Sequence, residues 1–212
     1  MILAVDIGNS AAKAALVDGE TVHESGRLET SSATGEDLLD GLRVLTGAHE
    51  EPASAIVTVS VVDRWTERLE VAADALGLPL TVVAASHIPI STALARPDRT
   101  GPDRLLAAWA ASRIHGSPVI VVDLGTATTV DAVDADGFFL GGAIAPGLEL
   151  AADALAEHTA RLPRIDVALP DDAIGTDTAG AIASGVVIGH IGTVRELALR
   201  MHHRIASRTH RT

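Results

Sequence analysis

Two stretches of this chain carry the same arrangement, and that repetition limits the fold more than any other feature. Each begins with an apolar run, turns through an Asp-x-Gly loop, continues as a second apolar run and closes on an Asp-Gly pair. The first comprises residues 2–5, Asp6-Ile7-Gly8-Asn9-Ser10, residues 11–17 and Asp18-Gly19. The second comprises residues 119–122, Asp123-Leu124-Gly125-Thr126-Ala127-Thr128-Thr129, residues 130–133 and Asp136-Gly137. Short apolar runs ending at Asp-Gly read as β-hairpins. Asp123 follows Asp6 by 117 residues. Two copies at that separation predict a duplicated domain in which each half brings one loop to a shared cleft.

Between the copies, apolar periodicity predicts helices over residues 36–48 and 64–76, the second closed by Gly77 with Pro79 beyond it. Short apolar runs at 55–62 and 80–83 alternate with these helices, a βαβ rhythm that predicts a parallel sheet. After the second hairpin, residues 141–147 read as a glycine-rich loop leading into a helix over about 148–158, which Leu162-Pro163 ends. A long helical stretch follows from about 178 to 207, and the basic, polar residues 204–212 are expected to fray. No linker or low-complexity segment separates the halves, placed at 1–115 and 116–212, so they are expected to pack directly.

Composition removes competing classes. With 212 residues, 47% of them hydrophobic, the chain can bury about 70% of its unfolded surface, which excludes wholesale disorder and collagen-like repeats. Sixteen basic against 28 acidic side chains give a net charge of −12, which repels a polyanionic backbone. Only Trp65, Trp109, Phe138 and Phe139 could stack on bases, so no nucleic-acid partner is expected. Cysteine is absent, so disulfides, thiolate metal sites and thiol nucleophiles are excluded. The first residues, Met1 to Asp6, lack a basic signal-peptide start, and no apolar run approaches the roughly 18 residues of a membrane span. These features predict a cytoplasmic protein without membrane contact.

The Asp-x-Gly loops have a chemical use. Glycine lets the backbone approach a phosphate, exposed N–H groups and hydroxyls bind its oxygens, and a carboxylate can hold a metal ion. Lys13 could add positive charge. One such loop alone is equally a tight turn with glycine at positive φ; the duplication favours the phosphate reading. A third cluster, Gly101-Pro102-Asp103-Arg104, precedes an apolar helical stretch over 105–114. Proline and an acid are ordinary helix-start residues. The same location keeps a carboxylate ionised for use as a general base, while Arg104 could hold an anionic substrate. His202, His203 and His210 read as a solvated tail rather than metal ligands, because neighbouring helical residues project about 100° apart. The acidic stretch over 166–177 likewise reads as a solvated loop.

Six motifs occur here in the order and spacing of type III pantothenate kinases. They are Asp6-Ile7-Gly8-Asn9-Ser10, Gly101-Pro102-Asp103-Arg104, Asp123-Leu124-Gly125-Thr126-Ala127-Thr128-Thr129, Gly141-Gly142-Ala143-Ile144-Ala145-Pro146-Gly147, Thr159-Ala160-Arg161-Leu162-Pro163 and Ile174-Gly175-Thr176-Asp177-Thr178. Over nearly all of residues 1–192 the chain resembles that family. The resemblance implies the fold of the acetate and sugar kinase/Hsc70/actin superfamily: an α/β protein with duplicated ribonuclease H-like, actin-like halves around an ATP cleft. It implies that Asp6, Gly8, Asn9, Ser10 and Lys13 form the ATP phosphate site, with Asp6 near Mg²⁺, and that Gly125 and Thr126 form the second phosphate contact. Asp123 matches the ligand of a monovalent cation, potassium or ammonium. Asp103 matches the catalytic base, Gly101, Pro102, Asp103 and Arg104 the pantothenate-binding segment, and Thr178 a threonine reaching substrate from the neighbouring subunit of a homodimer.

The implied activity is ATP-dependent phosphorylation of pantothenate to 4′-phosphopantothenate, the first step of coenzyme A synthesis. Two departures accompany the resemblance. Family members usually carry an aromatic residue, typically Tyr, shortly before Gly-x-Asp-Arg, whereas this chain has Thr92-Ala93-Leu94-Ala95-Arg96-Pro97 and no Tyr. Members also continue past the long helix with a strand, a Gly-Gly loop near the adenosine and a closing helix, so the second half is expected to be shortened at its C-terminal end. The alternatives are a non-catalytic relative acting as a ligand-binding or regulatory accessory protein, and another small-molecule kinase of the superfamily.

Overall fold

Alternation decides the first strand: Leu3, Val5 and Ile7 are buried while Ala4 and Asp6 face outward along β1 (Ile2–Ile7). The computed structural model in which this is seen describes residues 1–92 and 94–209. It divides into two compact units, residues 1–89 with 96–106, and residues 90–95 with the chain from Ala107 onward.

In the first unit, β1 pairs antiparallel with β2 (Ala11–Asp18), and β2 with β3 (Thr21–Glu29) across the Asp18-Gly19 turn, where Gly19 takes φ 57°. Helix α1 (Gly35–Gly47) leads to β4 (Ala55–Ser60), parallel to β1; helix α2 (Asp63–Leu76) leads to β5 (Leu80–Val82), parallel to β4. The sheet order is β3-β2-β1-β4-β5. The expected βαβ rhythm therefore holds for β1, β4 and β5, but the sheet is mixed, because tight Asp-Gly turns can join only antiparallel neighbours. Strand β3 gave no periodic signal, since seven of its nine residues in a row are exposed along one edge of the sheet. Gly77 closes α2 at φ 67°, as its position predicted.

The core of this unit lies between the sheet and α1 and α2. Leu3, Leu16, Leu42, Ile56, Trp65 and Leu69 are fully buried there. The guanidinium of Arg68 sits 4.5 Å from the centroid of the Trp65 ring, a cation–π contact on the rim of the core.

The second unit repeats the opening hairpin. Strands β6 (Val119–Leu124), β7 (Ala127–Val133) and β8 (Phe139–Pro146) form an antiparallel sheet in the order β6-β7-β8, with Gly137 at φ 81° in the turn. Ser91 and Thr92 lie along β8: the Phe139 N–H donates to the Ser91 carbonyl at 2.8 Å and the Thr92 hydroxyl to the Phe139 carbonyl at 3.2 Å. Helix α3 (Pro102–His115) begins in the first unit and continues into the second. Helix α4 (Leu148–Glu157) follows β8, and α5 (Thr178–Ala183) runs through one π turn (Ser184–Ile188) into α6 (Gly189–Thr209).

Three expectations change. Residues 141–147 are not a loop; all but Gly147 lie in β8, and the glycines serve close strand approach. A Cβ at Gly142 would collide with the Val130 carbonyl and the Asp131 side chain. The chain from Arg204 is not frayed where it is described: α6 continues to Thr209 and buries Ile205, while His210 to Thr212 lie outside the described residues. Among the described residues one helix, Thr178–Ser207, is long and apolar enough by composition to cross a membrane, with mean hydropathy 1.3. It packs against β6, β7 and α4, burying Ile182, Val186, Val187 and Ile205, with 22% of its most apolar stretch buried.

Because Leu69 is fully buried among large side chains, Leu69→Ala is expected to cost about 2–5 kcal/mol of unfolding free energy in urea titrations. A loss below about 1 kcal/mol would contradict this packing.

Candidate active site

The two Asp-x-Gly loops are built by matching backbone bonds. In the first, Asp6 is the penultimate residue of β1 and stands opposite Lys13 of β2, on the sheet face away from the buried residues of β1. The Gly8 N–H donates to the Ala11 carbonyl at 2.9 Å. Thr30, the residue after β3, donates its N–H to the Ser10 carbonyl at 2.8 Å and its hydroxyl to the Asn9 carbonyl at 2.8 Å. In the second, Asp123 is the penultimate residue of β6 and stands opposite Thr129 of β7. The Gly125 N–H donates to the Ala127 carbonyl at 3.1 Å. Gly147, the residue after β8, donates its N–H to the Thr126 carbonyl at 2.9 Å.

The correspondence is close but not complete. Three residues, Gly8-Asn9-Ser10, separate β1 from β2, whereas two, Gly125-Thr126, separate β6 from β7. The counterpart of Lys13 is therefore Thr129, and the cation belongs to the first loop alone. Gly147 is buried, and a Cβ there would collide with the carbonyl oxygens of both Gly125 and Thr126. Only glycine lets the start of α4 close so tightly on the second loop.

Register places further groups around Asp123. Asp123, Thr129 and Ile144 form one row across β6, β7 and β8; Val121, Asp131 and Gly142 form the next row on the same face. Asp123 is exposed, while Asp131 is 2% exposed. On the opposite face Thr128, also 2% exposed, sits 3.0 Å from Nε2 of His190 on α6. The π turn just before α6 inserts one extra residue into the helical winding and so sets which side of α6 meets β7.

The third cluster opens α3. Asp103 lies in the first turn, half-buried, with Oδ1 accepting the Arg104 N–H at 2.9 Å. A Cβ at Gly101 would meet that same oxygen, so a side chain there would make the Asp103 carboxylate turn away from the position it takes here. Thr178 is the first residue of α5 and exposed; Asp177 caps the helix, accepting the Gly180 N–H at 2.7 Å. Thr178 borders a pocket of about 710 Å³ within the second unit, walled by Pro146, Leu155, Leu162, Ile182 and His190 among others.

The first unit thus holds Asp6, residues 8–10, Lys13 and residues 101–104; the second holds Asp123, Gly125, Thr126 and Thr178. Ala93, in the segment before Gly101, lies outside the described residues. No group of three or more His, Asp or Glu side chains suited to a metal exists among the described residues. A single acidic residue at the end of β1, Asp6, beside the Gly8-Asn9-Ser10 loop fits a divalent ion that takes most of its ligands from nucleotide phosphates and water. Thr30, Asp131 and His190 were not signalled by the sequence. Thr30 falls in an unpatterned edge segment, Asp131 in a strand read only as apolar, and His190 pairs with a residue 62 positions away.

The paired hairpins and their loops define the class: a duplicated actin-like α/β fold with one Asp-x-Gly loop in each half. The same fold is present in the crystal structure of a Campylobacter jejuni protein assigned to the Baf family of transcriptional activators, with TM-score 0.58 and 23% identity over 92% of this chain and 78% of that one. The family model for type III pantothenate kinase matches residues 2–200. Among curated relatives, the type III pantothenate kinase of Rubrobacter xylanophilus is 39% identical, over 98% of this chain and 81% of its own length. Those of Dehalococcoides mccartyi and Streptomyces coelicolor are 34% and 37% identical, over 98% and 97% of this chain and 83% and 82% of theirs. The chain belongs to the type III pantothenate kinase family.

The packing of Gly147 gives a prediction. Gly147→Ala should push residues 125–126 out of place and raise the KM for ATP about tenfold, with an unchanged far-ultraviolet circular dichroism spectrum. An unaltered KM would show that the second loop does not contact nucleotide.

Proposed function

We propose that this chain transfers the γ-phosphoryl group of ATP to the 4′-hydroxyl of pantothenate. The observation that carries the reading is the pair of Asp-x-Gly loops held by equivalent backbone bonds, in a chain matched to the family over nearly its whole length. That match favours the kinase over the accessory-protein alternative and over a kinase of different substrate.

Phosphoryl transfer needs positioning and charge neutralisation more than covalent chemistry. In the proposed arrangement Gly8, Asn9, Ser10 and Lys13 bind the ATP phosphates, and Gly125 and Thr126 form a second phosphate contact. Asp6 holds Mg²⁺, which when bound screens the charge on the transferring group. Asp123 holds a potassium or ammonium ion. Gly101, Pro102 and Arg104 receive pantothenate, with the Arg104 guanidinium toward its carboxylate. Asp103 takes the hydroxyl proton as the substrate oxygen bonds to the γ-phosphorus and the bond to the ADP oxygen breaks. Its Oδ1 is engaged by the Arg104 N–H, so proton uptake is assigned to Oδ2. Thr178 serves the active site of the neighbouring subunit in a homodimer, and the protein works in the cytoplasm.

Two variants test the roles. Asp103→Asn should lower kcat by about 10²–10⁴-fold in an assay of pantothenate-dependent ADP release, with little change in the KM for ATP; retained turnover would remove Asp103 as the base. Asp123→Asn should flatten the dependence of rate on potassium concentration, and a wild-type potassium response would place the monovalent ion elsewhere.

A further inference from the structure

The two loops differ by one residue, and Thr30 is placed to manage that difference. Each loop ends in a carbonyl held by the N–H of the first residue past its third strand: Ser10 by Thr30, and Thr126 by Gly147. That much is common to both halves and requires no side chain, as the glycine shows. The first loop has one more peptide unit, whose Asn9 carbonyl has no counterpart in the second. The Thr30 hydroxyl donates to this oxygen at 2.8 Å, from a residue only 2% exposed.

We infer that Thr30 is a positioning residue for nucleotide, its hydroxyl fixing the extra peptide of the first phosphate loop. In a trans peptide the carbonyl and the following N–H point in opposite directions. Holding the Asn9 and Ser10 carbonyls from one buried residue therefore sets the tilt of two successive peptide planes. A loop so held presents one backbone surface to a phosphate rather than several, and binding does not have to order it. The hydroxyl acts through residues 9 and 10 and not through the fold at large, because the strand pairing needs only the Thr30 N–H. The inference rests on the reading of residues 8–10 as the ATP phosphate loop.

The test uses the full chain and three variants. Thr30→Val keeps the shape and removes the hydroxyl, Thr30→Ala removes it with less bulk, and Thr30→Ser keeps it. Binding of the non-hydrolysable analogue AMPPNP with Mg²⁺ is measured by calorimetry, together with the KM for ATP, the KM for pantothenate and Tm. Thr30→Val should raise both the AMPPNP Kd and the ATP KM about five- to tenfold, leave the pantothenate KM unchanged, and be rescued by Thr30→Ser. Where Thr30→Val does not fold, Thr30→Ala is read in the same way. Wild-type nucleotide affinity in the hydroxyl-less variant overturns the inference. So does parallel weakening of both substrates with a lowered Tm in Val and Ser variants alike, and so does loss of folded protein in both Val and Ala. If the wild type binds AMPPNP yet does not phosphorylate pantothenate, the substrate reading fails while the binding measurements still decide Thr30. If it does not bind AMPPNP, both fail.

Discussion

The hydrogen bonds that hold the Ser10 and Thr126 carbonyls from just beyond β3 and β8 are what the rest of the arrangement depends on. A hairpin loop at the end of two strands is otherwise free to take many shapes. Tying its last carbonyl to the third strand removes that freedom and leaves the carboxylate of the penultimate strand residue, Asp6 or Asp123, at a defined place beside it. The third strand of each meander is therefore more than an added edge: it is the element that carries the clamp. The glycines follow from the same demand. Gly147 can carry no side chain because the loop carbonyls occupy its space, and a side chain at Gly101 would displace the Asp103 carboxylate.

Much of this was legible in the sequence, for identifiable physical reasons. Short apolar runs and the Asp-Gly turns marked the hairpins, and Gly77 marked the end of α2, because turns and helix ends impose local backbone requirements that only certain residues meet. The duplication followed from the repetition of the Asp-x-Gly loop, and the actin-like fold class from the resemblance of six motifs to the family. What was not legible depended on partners distant in sequence. The exposed edge strand β3 buries almost nothing on either face, so it leaves no periodic trace, and Thr30 beyond it looked like any loop threonine. The glycines of residues 141–147 suggested a glycine-rich loop, since their real function, close approach of β8 to Val130 and Asp131, is invisible without the pairing register. The π turn and the Thr128–His190 contact likewise arise from tertiary packing against α6.

The second unit shows how one helix can serve several demands. The chain from Thr178 to Thr209 caps on Asp177, changes its winding once at the π turn, and covers one face of β6 and β7. Its apolar content, sufficient by composition for a membrane span, is accounted for in part by the residues it buries against the sheet and α4. Its first residue, Thr178, is left at the border of the pocket beside Pro146, one residue from the glycine that clamps the second loop.

Membership of the type III pantothenate kinase family and the two clamped loops converge on one chemical event, the movement of a phosphoryl group from ATP to pantothenate. The measurement that tests it most directly is mass-spectrometric analysis of products after incubating the purified chain with ATP, Mg²⁺, potassium and pantothenate. The account predicts 4′-phosphopantothenate and ADP formed in equal amounts, with neither product above background when pantothenate is omitted. ADP appearing without phosphorylated pantothenate, or no turnover by a folded protein, would contradict it.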